Sequence, residues 1–128
     1  MFSVLKKDFA RYYKIDLSDD NPSILKKIRL ILALPGVQAV IIYRFGQWIF
    51  CPVRAWNMLM LSKFFLRPAY YLSNYFIKKM FGIDISRSAK IGAGLYIGHF
   101  AGIKIGNVVV GENFSIHQHV KICSEISC

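Results

Sequence analysis

Acidic residues are scarce in this sequence. Seven Asp and Glu face 17 Lys and Arg, a formal net charge of +10 over 128 residues. The excess is local: residues 1–80 hold 13 basic and 4 acidic side chains, residues 81–128 hold 4 and 3. A long apolar run is also missing. The longest uncharged stretch near the middle, LILALPGVQAVIIY, has 14 residues and contains Pro35 and Gly36, short of the roughly 20 apolar residues that a bilayer-spanning helix needs. The N-terminus, MFSVLKKDFARYYK, carries charges throughout and has no small-residue cleavage site behind an apolar core, so it lacks the form of a secretory signal. Cys51, Cys123 and Cys128 form no CxxC pair and are odd in number, which points to reduced thiols rather than a disulfide framework or metal site. Zinc, Gly-rich and helix-turn-helix signatures are absent as well, and basic charge without them argues against a nucleic-acid partner. Together these absences predict a cytoplasmic protein.

What is present is apolar bulk. A chain that is 55% hydrophobic and 15% aromatic can bury one modest core with a satellite. In residues 1–81 the spacing predicts helices. Phe2, Leu5, Phe9 and Tyr12 follow the helical period over residues 2–14. LSDDNPS breaks it, with Asp20 or Asn21 as expected N-cap and Pro22 at the first helical position. A helix over 23–34 should stop at Pro35-Gly36, another over 37–50 should end before Pro52, and Pro68 should kink or split the apolar stretch 54–80. Gly82 is placed to close the last turn. Basic and aromatic residues interleave in FFLRPAYYLSNYFIKKMF. That pattern suits helices packed on each other with lysines outside, or a peripheral face against anionic lipid at the inner surface of a membrane.

After Gly82 the period changes. Isoleucine recurs every six residues at Ile85, Ile91 and Ile97. After an irregular interval through Ile103 and Ile105, the step of six returns at Val110, Ile116 and Ile122. One inward side chain per six residues suits short straight faces, three to a coil, with successive coils about 4.8 Å apart, and the glycines between them supply tight corners. The fold class expected is α+β: an α-helical region over 1–81 followed by a short, incomplete parallel β-helix over 82–128.

The phrase DISRSAKIGAGLYIGHFAGIKIGNVVVGENFSIHQHVKI resembles the serine acetyltransferase-like branch of the hexapeptide-repeat acyltransferases, and VQAVIIYRFGQWIF resembles the helix that precedes their solenoid. The resemblance implies a left-handed β-helix and an acetyl-CoA-dependent O-acetyltransferase assembled as a homotrimer with sites between subunits. No metal is expected, because no Cys or carboxylate is spaced to join His117 and His119 as a third ligand. His99 matches the family's general base toward the acceptor hydroxyl, and Asp84 matches the aspartate that orients it. A coil takes about 18 residues, so Asp84 should lie one coil below His99 near the same corner, where a carboxylate can fix the imidazole tautomer. Gly98 stands where serine-specific members carry an aspartate, so the acceptor is a small molecule, serine or a sugar. Relatives continue with further coils that bind coenzyme A and supply a second histidine. Ending at VKICSEISC, the sequence reads as truncated, and the alternative is a non-catalytic remnant acting in assembly or membrane attachment. His117 and His119, two apart in IHQHV, are expected to face solvent on one side of a strand.

Overall fold

The computed structural model describes residues 2–18, 22–50 and 62–123. Helices come first: α1 (Phe2–Tyr12), a π-helical turn (Tyr13–Leu17), α2 (Ile24–Ala33), α3 (Pro35–Ile49), a second π-helical turn (Ser62–Leu66) and α4 (Arg67–Phe81). Short parallel strands follow: β1 (Ile83–Ile85), β2 (Lys90–Ile91), β3 (Tyr96–Ile97), β4 (Ile103–Ile105), β5 (Val109–Val110), β6 (Ser115–Ile116) and β7 (Lys121–Ile122). The class is α+β.

Proline sets the helix boundaries. Leu34 is extended (φ −106°, ψ 106°), as the residue before a proline prefers, and Pro35 opens α3, where no N–H is needed. The expected stop at Pro35-Gly36 is thus also a start, and the two helices meet at 91°. Pro68 likewise sits in the first turn of α4, where the preceding π-helical turn passes into α-helix; residues 54–61 of the apolar stretch lie outside the described residues. Gly82 ends α4 in the left-handed conformation (φ 64°), its N–H donating to Lys78 O at 3.2 Å. One boundary differs from expectation. Ser23 is the N-cap of α2, so Pro22 precedes the helix instead of opening it, and its buried ring serves packing. Asp20 and Asn21, the expected caps, lie outside the described residues. Cys123 is disulfide-bonded, which corrects the expectation of reduced thiols at that position.

The strands stack on three faces, in the orders β1-β4-β7, β2-β5 and β3-β6, all parallel. Ile85 lies under Ile105 and that under Ile122, Ile91 under Val110, and Ile97 under Ile116. This register accounts for the irregular interval. From β2 to β5 and from β3 to β6 the chain advances 19 residues (Ile91 to Val110, Ile97 to Ile116), but from β1 to β4 it advances 20 (Ile85 to Ile105) and from β4 to β7 only 17. The surplus lies in the β3–β4 corner, residues 98–102, where Ala101 (φ 131°) and Gly102 (φ 64°) take positive φ. That longer corner carries His99.

A solenoid exposes an apolar end at its first coil unless something caps it. Here α1 and α3 lie against that coil, and their side chains bond its backbone. Tyr12 Oη accepts the Ile97 N–H at 2.8 Å, and Tyr43 Oη donates to Ala89 O at 2.7 Å while accepting the Ile91 N–H at 3.2 Å. Gln47 Nε2 donates to Ala89 O at 2.6 Å. Arg11 reaches two coils, donating to Gly94 O at 2.7 Å and Ser115 Oγ at 2.6 Å. Deepest is the ion pair of Asp8 and Arg44, 1% and 6% exposed. Arg44 Nε donates to Asp8 Oδ2 at 2.8 Å, and its other nitrogens donate to Ile91 O and Gly92 O at 2.7 and 2.6 Å. Asp8 Oδ1 accepts the Gly94 and Leu95 N–H groups at 2.7 and 2.8 Å.

Burial pushes the Tyr12 phenol well above its ordinary value near 10, although the Ile97 N–H pulls it down. Above pH 10 the unfolded chain releases that proton while the fold retains it, so stability falls as the pH rises past 10. Tyr12→Phe should flatten this slope without abolishing it, because burial raises Tyr43 as well. At neutral pH it should cost about 1–3 kcal/mol for the unpartnered Ile97 N–H. Urea titrations at about pH 8 and about pH 10.5 read both effects.

Candidate functional site

Asp84 is the half-buried middle residue of β1, between the inward Ile83 and Ile85. His99 is exposed in the β3–β4 corner. That corner stands over the junction of α4 and β1: the Ile103 N–H donates to Gly82 O at 2.9 Å, and a β-carbon at Gly82 would lie 3.0 Å from Gly102 N. Asp84 itself is paired with Lys104 on β4, the strand that follows the corner of His99. The side chains of Asp84 and His99 are not joined. Among the described residues no hydrogen bond links them; Asp84 Oδ2 accepts instead from Lys78 Nζ, in the last turn of α4, at 2.7 Å. Lys78 is largely exposed, and such a pair contributes under about 1 kcal/mol, so little holds the carboxylate there. Beside Asp84 a groove of about 480 Å³ runs past Ser86, Ser88, Lys104 and Asn107.

The imidazole of His99 has another neighbour. Its ring centroid is 6.1 Å from that of His117, with the planes tilted by 40°. His117 follows Ile116, which is paired with Ile97, and its ring covers Gly98: a β-carbon at 98 would lie 2.6 Å from His117 Nδ1. The His119 N–H donates to Ala101 O at 2.9 Å, and its ring lies against Gly102. His117 and His119 are both exposed. They do not share the side of a strand, however: they follow β6 in a corner where His119 is left-handed (φ 57°). All three histidines thus gather at stacked corners. No group of three or more His, Cys, Asp or Glu able to hold a metal occurs among the described residues.

Asp16, in the π-helical turn after α1, was not marked by any motif. Tyr96 Oη donates to its Oδ1 at 3.4 Å. Burial raises its carboxyl above the ordinary range, while the Tyr96 hydrogen bond and the charge of His99 oppose the rise. An acid contributed by the helical region therefore feels the His99 imidazole. Its only sequence signal is its place at the end of the first helical pattern.

Two glycines at this end of the fold should respond differently to a methyl group. At Gly92 a β-carbon would meet Glu112 N and Gly111 C at 2.7 Å. Those are backbone atoms of the coil above, so Gly92→Ala should cost about 1–3 kcal/mol. At Gly98 the nearest obstacle is the exposed His117 ring, which can swing into solvent, while the Tyr96 ring at 3.2 Å must give slightly, so Gly98→Ala should cost under about 1 kcal/mol while displacing the His117 ring. Urea midpoints separate the two cases.

No protein-family profile matches the chain. Over 103 residues it is 33% identical to the serine acetyltransferase of Escherichia coli strain K12, covering 80% of this chain and 33% of that protein. Over 123 residues it is 29% identical to the serine acetyltransferase of Synechocystis sp., covering 95% of this chain and 43% of the relative. The crystal structure of serine acetyltransferase from Brucella abortus strain S19 superposes with a TM-score of 0.62 at 24% identity, over 91% of this chain and 42% of that one. The chain thus spans less than half the length of these relatives. By sequence and by fold, it is serine acetyltransferase-like and of the hexapeptide-repeat type.

Proposed function

We propose that the chain serves an acetyl-CoA-dependent O-acetyltransferase in which His99 is the general base toward an acceptor hydroxyl. The observation that supports this reading is the exposed His99 in the lengthened β3–β4 corner, which stands over the junction of α4 and β1. One imidazole nitrogen takes the hydroxyl proton as the oxygen attacks the thioester carbonyl. The tetrahedral intermediate then collapses, transferring acetyl to the acceptor, and the same proton passes to the departing coenzyme A sulfur. The groove beside Asp84, with Ser86, Ser88 and Asn107 along it, is the candidate channel for one of the two substrates. The reading includes a cytoplasmic homotrimer, with each site completed by a neighbouring subunit.

The acceptor favoured is a sugar hydroxyl. Serine-specific members of the family hold the amino acid with an aspartate just before the histidine. Here that position is Gly98, and the His117 ring fills the space above it. Residue 98 itself therefore offers no carboxylate to receive an ammonium group. A second reading, a non-catalytic chain acting in assembly or attachment, draws on the Lys78–Asp84 pair, which diverts the carboxylate from His99. Release of free thiol from acetyl-CoA decides between them, measured with serine and with a panel of sugars. Release that depends on a sugar supports the reading, release with serine alone overturns the acceptor, and no release with any acceptor favours the second reading.

A further inference from the structure

Helix α4 buries only one side. Tyr70 and Ile77 are buried, and Phe81 packs against the core. The opposite side is apolar too: Leu72, Phe76 and Met80, one helical turn apart, are 72%, 55% and 61% exposed, and Tyr75 beside them is 60% exposed. The sequence left open whether these aromatic helices pack on one another, and the structure leaves this face uncovered among the described residues. Phe64 and Phe65, in the turn leading into α4, are exposed as well. An edge-on contact of Phe81 with Phe100, ring centroids 5.6 Å apart, continues the patch to the corner of His99.

Charge decides what such a face meets. Every ionisable side chain of α4 other than its tyrosines is a cation: Arg67, Lys78 and Lys79. Lys78 is neutralised by Asp84, but Lys79 lies in the middle of the apolar face, its Nζ 5.8 Å from the Tyr75 ring centroid. Helix α2 repeats the composition, with exposed Ile24, Leu25, Ile28 and Leu32 beside Lys26, Lys27 and Arg29 and no acid. A second copy joined α4 to α4 about a two-fold axis would set cation against cation. An anionic bilayer suits both components, because rings and aliphatic chains enter the boundary of headgroup and acyl chain while lysine meets phosphate.

We propose that the outward face of α4, formed by Leu72, Tyr75, Phe76, Lys79 and Met80, docks peripherally on an anionic lipid bilayer. No single helix among the described residues is long and apolar enough to cross a membrane, and the attachment proposed for α4 lies in the plane of the surface. The inference stands apart from the acetyltransferase reading. The test is co-sedimentation of the full chain with phosphatidylcholine vesicles, with and without about one third phosphatidylglycerol. The chain should bind the mixed vesicles, bind neutral ones at least about tenfold more weakly, and come off as salt rises. Lys79→Ala should weaken binding about fivefold, and Phe76→Asp about tenfold or more. Both sites are exposed, so the fold should persist, as circular dichroism will show. Equal binding to neutral and anionic vesicles, or binding to neither, overturns the proposal. So does a Phe76→Asp variant that still binds vesicles but loses an oligomer seen by light scattering, which would assign the face to a second copy.

Discussion

Asp8→Ala is expected to lower the stability of the fold by about 3–5 kcal/mol, about a fifth or more of the roughly 5–15 kcal/mol that a domain commonly has. The carboxylate is 1% exposed and does two things at once. It neutralises Arg44, and it accepts the Gly94 and Leu95 N–H groups at the corner that joins β2 to β3. Truncation leaves a buried guanidinium without a counter-ion and two buried donors without an acceptor. Asp8→Asn should cost less, because an amide oxygen can still accept from those donors while the charge is lost. Arg44→Met is the complementary variant, and a double-mutant cycle with Asp8→Ala should give a coupling above about 1 kcal/mol. Urea denaturation followed by circular dichroism measures the parent and all four variants. A loss below about 1 kcal/mol in Asp8→Ala would mean that the helices do not cap the solenoid through this pair.

That ion pair was invisible in the sequence, and the reason is physical. Asp8 and Arg44 are 36 residues apart and occupy ordinary helical positions, so neither periodicity nor spacing sets them apart from the surface charges around them. The hexad, in contrast, was legible because each face of the coil admits one inward side chain. Ile85, Ile91 and Ile97 therefore carry the fold in their spacing alone. Even the irregular interval was written there as a slip of register, although not its cause, the lengthened corner around His99. Pro35 was legible as a break but not as a start, although the same missing N–H that ends α2 there suits the first turn of α3, and Pro22, read as a start, precedes its helix. The outward face of α4 lay beyond sequence reasoning. An aromatic helix reads alike whether its second side is covered or bare.

At the site, the contacts of the two candidate residues lay beyond the sequence. Fifteen residues separate Asp84 from His99, and Gly82, two residues before Asp84, lies against Gly102, three residues after His99. Lys78 was not foreseen as a competitor, because its reach to Asp84 depends on how Gly82 turns the chain from helix to strand. His117 was read as a bystander, since only the stacking of β6 on β3 shows that its ring fills the space over Gly98.

His99→Ala should lower acetyl transfer by about 100-fold to 10,000-fold, the usual worth of a positioned general base, while assembly and urea midpoint stay unchanged. The side chain is exposed and bonds nothing that holds the fold, so a loss of rate is chemical rather than structural. Asp84→Asn should cut the rate less, and Lys78 gives that comparison its meaning. If Asp84 orients His99 during turnover, it must leave Lys78 Nζ, 2.7 Å away. Lys78→Met should then leave the rate intact or raise it, and Asp84→Asn should slow the Lys78→Met protein by at least the factor it costs the parent. If instead the Lys78–Asp84 pair only fastens α4 to β1, both variants should shift the urea midpoint slightly and together, with no effect on kcat. An unchanged kcat in His99→Ala would remove the imidazole from the reaction altogether, whatever the behaviour of the carboxylate.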